Sequence, residues 1–552
     1  MRPLTDKEIQ TLKSQGCTSE CWELIEINSD SVIPHISNVR FSGFVAIHDG
    51  VMLNNIPGGI GGCVIEEDVN IINVSSIEFE PQSSFGVGTM VSVLDETGSR
   101  QVPIYPGLSS QVATFLARQP NWINERGAQV KAFIDGRITS ARIGSKAYIK
   151  NCGKIKNVSI DREIVVEGAS RLENGSLLNN AAPGKCFTYV GHGVDAENFI
   201  LEDAKLDSKT IIGNCYIGQG SVLSHGFSAH DSLIFANCSF ENGEVHSILA
   251  GPYTVSMHKG TLLIGCQTSF MNAGSTTNQS NHMYKLGPIH WGILERGVKT
   301  SSSSYLMMGA KIGAFSMMMG QHKLHPDTSQ FPFSYLFGDD RGTTTVVPGI
   351  MLRSCGLLRD ETKWPARDRR LNRGIPLYDH IMFNVLNPYT VDIMLKTIDT
   401  IDELLMRPAA DDSYMRYKGL KFTRSGLERA KSLYTIAIYK YLSMVLTDHQ
   451  FPAKSDETPD EWLDLGGQIM PRSFLKKAEE SFSLSEMQEI FDEAFQEYNL
   501  LQLKWIASRF DDSWRADPGK IETFSKRFDE LIDEDREEYL KMLEREAEML
   551  AL

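Results

Sequence analysis

A large aliphatic residue recurs every six positions through much of the first two thirds of the chain. Four blocks keep this spacing: Ile143, Ile149 and Ile155; Ile160, Val166, Leu172 and Leu178; Val194, Ile200 and Leu206; and Ile211, Ile217 and Leu223. A helix would place apolar residues three and four apart, and a half-buried strand would alternate with a period of two. A period of six predicts instead a short strand and a corner, repeated many times as a solenoid.

The same spacing is weaker nearer the N-terminus, in the runs Val39, Val45, Val51 and Ile65, Ile71, Ile77. Between residues 106 and 140 it stops, and the apolar positions have helical spacing, divided by Pro120. Beyond residue 223 the spacing continues loosely as far as Ile312. We therefore predict a solenoid that is interrupted by a helical insertion.

Both ends of the chain are predicted to be helical. Thr5 and Glu8 form a capping box, and Gly16 suits the end of that first helix. Near the C-terminus, helical spacing is kept by Leu427, Ala430, Tyr434, Ala437, Tyr441 and Met444. The predicted organisation is an N-terminal helical cap (1–30), a first β-solenoid segment (31–104), a helical insertion (105–140), a main solenoid with functional loops (141–375) and an α-helical domain (376–552).

The six-residue spacing resembles that of hexapeptide-repeat proteins, which form a left-handed parallel β-helix. Residues 1 to about 370 also resemble a family of large uncharacterised bacterial hexapeptide-repeat proteins, in the segments VEGASRLENGS (166–176), AGPYTV (250–255), SNHMYKLGPIH (280–290) and ILERG (293–297). The resemblance implies a fold that is mainly β with α, and a left-handed solenoid. It also implies a homo-oligomer, as a trimer through solenoid faces, and it brings no activity with it.

Composition excludes several classes of protein. The 552 residues are 41% hydrophobic and 23% charged, with a formal net charge of −15, which argues against binding to a nucleic-acid backbone. No run of 18 apolar residues occurs, so no membrane span is predicted. The nine cysteines are odd in number and follow no signal peptide, which predicts reduced thiols in a cytoplasmic protein.

Histidine is concentrated in one part of the sequence. Eight of the 13 histidines lie between residues 225 and 325: His225, His230, His246, His258, His282, His290, His322 and His325. Histidine is the side chain best suited to proton transfer near neutral pH. His282 and His290 are the preferred candidates for a general base, followed by His322 and His258.

Polar and cationic side chains accompany these histidines. The candidates for substrate binding are Asn278, Asn281, Tyr284, Lys285, Arg296, Arg353 and Lys363. Cations grouped within an acidic chain predict a small anionic ligand, such as a sugar phosphate or a sugar nucleotide. The resemblance to hexapeptide-repeat acyltransferases implies acyl transfer from an acyl-CoA donor to a sugar or amino-sugar derivative, with no tightly bound cofactor.

Two alternatives remain open. His225 and His230 are five residues apart and His192 lies 33 residues earlier, a spacing similar to the zinc ligands of hexapeptide-repeat carbonic anhydrases. A zinc-dependent hydratase is therefore one alternative. The other is a non-catalytic protein that binds sugar nucleotides or acts as an assembly scaffold.

Overall fold

A computed structural model gives the structure of the chain and describes residues 1–282, 290–407 and 414–550, with the backbone alone for 546–550. The chain divides into two compact units. Unit 1 contains Met1–Gly265 and Asp368–Asp379, and unit 2 contains Cys266–Arg367 and His380–Leu552. The fold is mainly β with α, parallel strand pairs predominate, and the C-terminal region is helical.

Unit 1 is built from short strands, with one helix at its start and three in an insertion. The helices are α1 (Asp6–Ser14), α2 (Ser110–Arg118), α3 (Pro120–Glu125) and α4 (Gly127–Asp135), with short 3-10 turns at Trp22–Leu24 and Asp30–His35. The strands are Arg2–Pro3, Thr18–Ser19, Ile25–Ile27, Ile36–Phe41, Val45–Ile47, Met52–Gly61, Cys63–Ile65, Asn70–Glu78, Met90–Ser92, Gln101–Pro103, Arg142–Ile143, Tyr148–Ile160, Val165–Glu167, Arg171–Leu178, Tyr189–Val190, Asp195–Glu202, Lys205–Leu206, Ile211–Ile217, Val222–Ser224, Ser228–Ile234, Ser239–Glu241, Glu244–His246, Leu249–Ala250, Val255–Ser256 and Leu262–Ile264.

The predicted helical features of unit 1 are confirmed. The side chain of Thr5 caps α1 and forms a capping box with Glu8, and Gly16 takes a left-handed conformation just beyond the helix. The stretch with helical spacing contains α2, α3 and α4, and Pro120 is the first residue of α3.

The core of unit 1 consists of three columns of apolar side chains, each column passing from strand to paired strand. One column is Ile36, Leu53, Ile71, Ile149, Val166, Val190, Leu206, Leu223 and Phe240. The second is Ile27, Ile47, Ile65, Ile143, Ile160, Leu177, Leu201, Ile217 and Ile234. The third is Ile77, Ile155, Leu172, Ala196, Ile212, Ala229, Val245 and Leu263.

These columns explain the six-residue spacing. Partners such as Ile149 and Val166, or Ile155 and Leu172, lie 17 residues apart in the chain, close to three six-residue steps. The stacked residues are buried, so each step places one aliphatic side chain in the core.

One predicted core residue is wrong. Ile211 is 47% exposed, and its neighbour Ile212 occupies the core column instead. The cause is local, because the core residues Ile212 and Ile217 are five residues apart instead of six. Ile211 pairs with Asp195 rather than with a core residue, and the alternation of side chains along the strand turns it outward.

Asparagine ladders stabilise the corners of unit 1. Asn38, Asn55, Asn73 and Asn151 have φ values of 54° to 56°, in the left-handed region that Asn tolerates better than most residues. Each amide donates to the next, over 2.6, 3.0 and 3.1 Å. A second ladder joins Asn174, Asn198, Asn214 and Asp231 over 2.8, 3.0 and 3.1 Å. These bonds connect successive strands and help fix their register.

Unit 2 begins with further parallel strands and continues with helices. Its strands are Cys266–Thr268, Asn272–Ala273, Asn278–Ser280, Gly292–Leu294, Lys299–Thr300, Tyr305–Met307, Lys311–Ile312, Met317–His322, Tyr335–Gly338, Thr344–Val347, Met415–Tyr417, Leu420–Phe422, Trp462–Leu465 and Gln468–Pro471. Its helices are α5 (Cys355–Ala366), α6 (Pro388–Leu405), α7 (Arg424–Val445), α8 (Arg472–Glu480), α9 (Leu484–Gln496), α10 (Tyr498–Arg509), α11 (Asp512–Arg515) and α12 (Gly519–Leu550), with 3-10 turns at Ile350–Arg353 and Thr447–His449.

The helical spacing predicted near the C-terminus corresponds to α7. Leu427, Ala430, Tyr434, Ala437 and Tyr441 are buried, and the Tyr434 hydroxyl donates to the Pro332 carbonyl over 2.8 Å. Met444, the last residue of the predicted set, is 50% exposed because it lies in the final turn of α7. Within the described part of the chain, no helix is both long enough and apolar enough to cross a membrane.

Candidate functional site

Two of the predicted histidines lie close together in unit 2, at a corner of the stacked strands. Asn281 and His282 follow the strand Asn278–Ser280, and His290 lies two residues before the strand Gly292–Leu294. The described parts of the segment 278–297 therefore contain two strands, and its residues 283–289 lie outside the described residues. We call Asn281, His282, His290 and His325 the histidine cluster.

Backbone hydrogen bonds hold this corner together. The His290 N–H donates to the Asn281 carbonyl over 2.9 Å, which joins the described residues on either side of 283–289. The Met308 N–H donates to the Ser280 carbonyl over 2.7 Å, and so connects the next strand to the same corner. These bonds place side chains from distant positions in the sequence on a fixed backbone.

His325 reaches the cluster from a later segment. Its ring centroid lies 4.9 Å from that of His290, with 54° between the ring planes. Its Nδ1 is hydrogen-bonded to the Met308 carbonyl. A Cβ on Gly309 would lie only 2.7 Å from that nitrogen, so this approach requires glycine at 309. Because a carbonyl only accepts, Nδ1 carries the proton, and in the neutral ring Nε2 is left with the basic lone pair.

The cluster also contains polar atoms that lack partners. The Nδ2 of Asn281 and the Nδ1 of His282 are buried, and neither has a hydrogen-bond partner among the described residues. Asn281 is only 4% exposed. A buried donor without a partner costs free energy, about 1–3 kcal/mol, which makes such atoms candidates for contact with a ligand.

His322, by contrast, is a residue of the protein interior. It has no exposed surface, its Nε2 lies 3.2 Å from the Met319 carbonyl, and its Nδ1 lies 2.8 Å from the Thr344 hydroxyl. Burial lowers the pKa of His322 to about 4, although the Met319 carbonyl and Asp339 raise it. Both ring nitrogens are engaged, so His322 offers no free base to a substrate.

The remaining predicted binding residues of unit 2 are separated. Asn278 is exposed at the start of its strand, and Tyr284 and Lys285 lie outside the described residues. The guanidinium of Arg296 is buried: it lies 5.0 Å from the Phe270 ring, donates to the Met382 carbonyl and is 3.6 Å from Asp464. Arg296 therefore stabilises the interior of unit 2.

Arg353 ends the 3-10 turn at Ile350–Arg353, and its buried Nε has no partner among the described residues. Lys363 lies on α5, beside other cations. His258, the fourth predicted base, is on an exposed turn of unit 1.

The predicted zinc ligands do not meet at one point. The Lys209 N–H donates to the His192 carbonyl, and the Gly226 N–H donates to the Ser208 carbonyl, so two steps of the strand stack separate His192 from His225. Two strand spacings separate the backbones of these two residues by about 10 Å. His230 has Gly213 and His246 as its strand partners. Among the residues that the structure describes, no group of three or more His, Cys, Asp and Glu side chains is arranged to hold a metal ion.

One member of the cluster could not be selected from the sequence. His325 belongs to the histidine-rich segment, but its spacing from His322 gives no reason to prefer it. The Cα pairing of Leu306 with His322 brings the later segment beside the earlier corner. Only this pairing of distant strands identifies His325 as the neighbour of His290.

Parallel strands predominate in this mainly β protein with α-helices, and a half-buried histidine cluster lies at one corner of them. Residues 44–405 match the family described as "Domain of unknown function (DUF4954)", and the chain belongs to this family. It is also 23% identical over 454 residues to an "Uncharacterized protein" of Treponema pallidum (strain Nichols), covering 73% of this chain and 60% of that protein. The chain thus spans less than two thirds of that relative.

Proposed function

We propose that the stacked strands form a left-handed parallel β-helix and that the protein transfers an acyl group from acyl-CoA to a small anionic sugar or amino-sugar derivative. The general base is His325 or its neighbour His290 in the histidine cluster. The observation that carries this proposal is the tautomer of His325, whose basic Nε2 has no hydrogen-bond partner among the described residues and whose ring lies beside that of His290.

The chemistry requires one proton to be moved twice. The base takes the proton from the acceptor hydroxyl or amine, and the acceptor oxygen or nitrogen attacks the thioester carbonyl. The tetrahedral intermediate then collapses, the C–S bond breaks, and the imidazolium returns the proton to the departing thiolate. Asn281 supports this reaction, because its Nδ2, which has no partner among the described residues, is a donor for an oxygen of the ligand or the intermediate.

The cysteines are consistent with a cytoplasmic location for this activity. All nine are free thiols, and six of them are buried. Burial raises the pKa of Cys63, Cys215, Cys238 and Cys266 to about 12, so these thiols stay protonated near neutral pH.

The test measures the release of free CoA with a thiol reagent, using acyl-CoAs and a panel of sugar phosphates, amino sugars and sugar nucleotides. His290→Gln and His325→Gln are compared with His258→Gln, which changes an exposed histidine of unit 1. Loss of a general base lowers kcat by about 10²–10⁴-fold. We expect this loss in at least one cluster variant, with the midpoint of thermal unfolding unchanged.

Two results would contradict the proposal. The first is the absence of acceptor-dependent CoA release with any member of the panel. The second is full turnover by both cluster variants. If turnover falls as much in His258→Gln as in the cluster variants, the general base lies in unit 1 and not in the histidine cluster.

A further inference from the structure

A group of four cations surrounds one carboxylate on helix α5 of unit 2. Arg359 and Lys363 lie on α5, Arg367 follows its last residue, and Lys299 comes from a strand. We call Lys299, Arg359, Lys363 and Arg367 the α5 cation group. It is separate from the residues of the histidine cluster, and its assignment does not depend on the proposed acyl transfer.

The spacing on α5 places like charges beside each other. Arg359, Lys363 and Arg367 are four residues apart, so each is the surface neighbour of the next on the helix. Like charges at this spacing destabilise a helix by about 0.2–0.5 kcal/mol per pair. In an exposed helix that is stabilised by its own side chains, positive and negative charges would alternate at this four-residue spacing.

Asp360 is the carboxylate in contact with this group. Asp360 is 6% exposed, its Oδ2 accepts a hydrogen bond from the Lys299 ammonium, and its Oδ1 lies 3.6 Å from Arg359. Arg359 also lines a pocket with Asp535, Glu538, Lys541 and Arg545 of α12. Together with these neighbours the group has six positive charges and three negative charges, in a chain whose net charge is −15.

The same excess of positive charge affects the pKa of Lys363. Partial burial, followed by Arg367, Arg359 and Lys299, lowers the pKa of Lys363, and only Asp360 acts to raise it. The α5 cation group thus provides two guanidinium forks and two ammonium groups.

We propose that the α5 cation group binds the phosphate or diphosphate group of a small molecule. Arginine forks match phosphate oxygens with two parallel hydrogen bonds, and lysines add point charges. A dianion placed here would also remove the repulsion between the like charges at four-residue spacing. The acidic chain repels extended polyanions such as nucleic acids, so a compact phosphate compound is the ligand that fits.

Isothermal titration of the full chain with pyrophosphate, and separately with inorganic phosphate, tests this site. Lys363→Gln and Arg359→Gln remove one cation each, and Lys526→Gln is the matched control, an exposed lysine on α12. A charge-assisted hydrogen bond contributes about 1.5–3 kcal/mol. Each site variant should therefore weaken pyrophosphate binding at least about tenfold, and the control should not change it.

Lysine labelling gives a second readout that does not depend on heat changes. An amine-reactive reagent at pH 8, followed by mass spectrometry, measures the modification rate of each lysine. Pyrophosphate should slow the modification of Lys363 and Lys299 and leave Lys526 unchanged, and His290→Gln should leave that protection intact. Absence of pyrophosphate binding, or binding that survives both Lys363→Gln and Arg359→Gln, overturns the proposal.

Discussion

Acidification should destabilise unit 2 through a single buried imidazole, that of His322. Its pKa is about 4 in the folded protein, against an ordinary value of 6.5. Between these values the unfolded chain binds a proton that the folded chain excludes. The stabilising effect of neutral His322 is therefore fully present above pH 6.5 and is lost as the pH falls through 4.

The size of this effect follows from the difference between the two pKa values. At about 1.4 kcal/mol per pKa unit, the shift corresponds to about 3 kcal/mol, and most of it is lost by pH 4.5. The side chain has no exposed surface, so solvent does not screen the interaction. For a unit of this size, the midpoint of thermal unfolding should fall by roughly 6 °C.

Replacing His322 by glutamine isolates this contribution, because glutamine keeps donor and acceptor groups but does not titrate. Thermal unfolding of both proteins is measured at pH 7.5 and at pH 4.5. The wild-type protein should lose about 3 kcal/mol more than His322→Gln between these pH values. Other groups titrate in both proteins and cancel in the comparison. Equal losses in the two proteins would show that His322 accepts a proton without cost and would refute the reasoning.

Two predictions concern unit 1. Asn198→Ala removes hydrogen bonds of 2.8 and 3.0 Å, to Asn174 and Asn214, from a residue with φ of 53°. In urea unfolding this substitution should lower the free energy of unfolding by about 3 kcal/mol. Asn198→Gly should lower it by less, because glycine tolerates the left-handed conformation. Gly175→Ala places a Cβ 2.3 Å from the buried Phe199 ring and should cost about 1–3 kcal/mol, whereas Gly127→Ala, where nothing lies within 4 Å, should not destabilise. Equal effects of the two alanine substitutions would contradict this packing argument.

The architecture of unit 1 could be predicted because its repeat is local. One aliphatic residue per six is enough to mark the core columns, and the burial of Ile143, Ile149 and Ile155 confirms this. The prediction failed at Ile211, because the core residues Ile212 and Ile217 are five residues apart and not six. A period can be extrapolated along a sequence only as far as the next step of a different length.

The candidate site was harder to predict, because histidines that look alike in the sequence can have different roles in the structure. His290 and His322 look equivalent in sequence, yet one is half-buried beside a second imidazole and the other is sealed in the interior. Arg296 was predicted to bind a ligand, but its guanidinium lies against the ring of Phe270. Whether a side chain is buried depends on which distant strands pair, and the local sequence pattern does not specify that pairing.

Residues 368–379, which belong to unit 1, show that the role of a charged side chain depends on long-range contacts. Asp379 is fully buried and accepts hydrogen bonds from the Ser110 and Ala236 N–H groups over 2.6 and 2.9 Å. Arg370 is buried as well and forms hydrogen bonds of 2.8 and 2.9 Å with Asp368. These charges stabilise a fold, since each has its partners within the same unit. In the α5 cation group and its neighbours on α12 the cations outnumber the carboxylates, and that imbalance distinguishes a candidate ligand site from a structural ion pair.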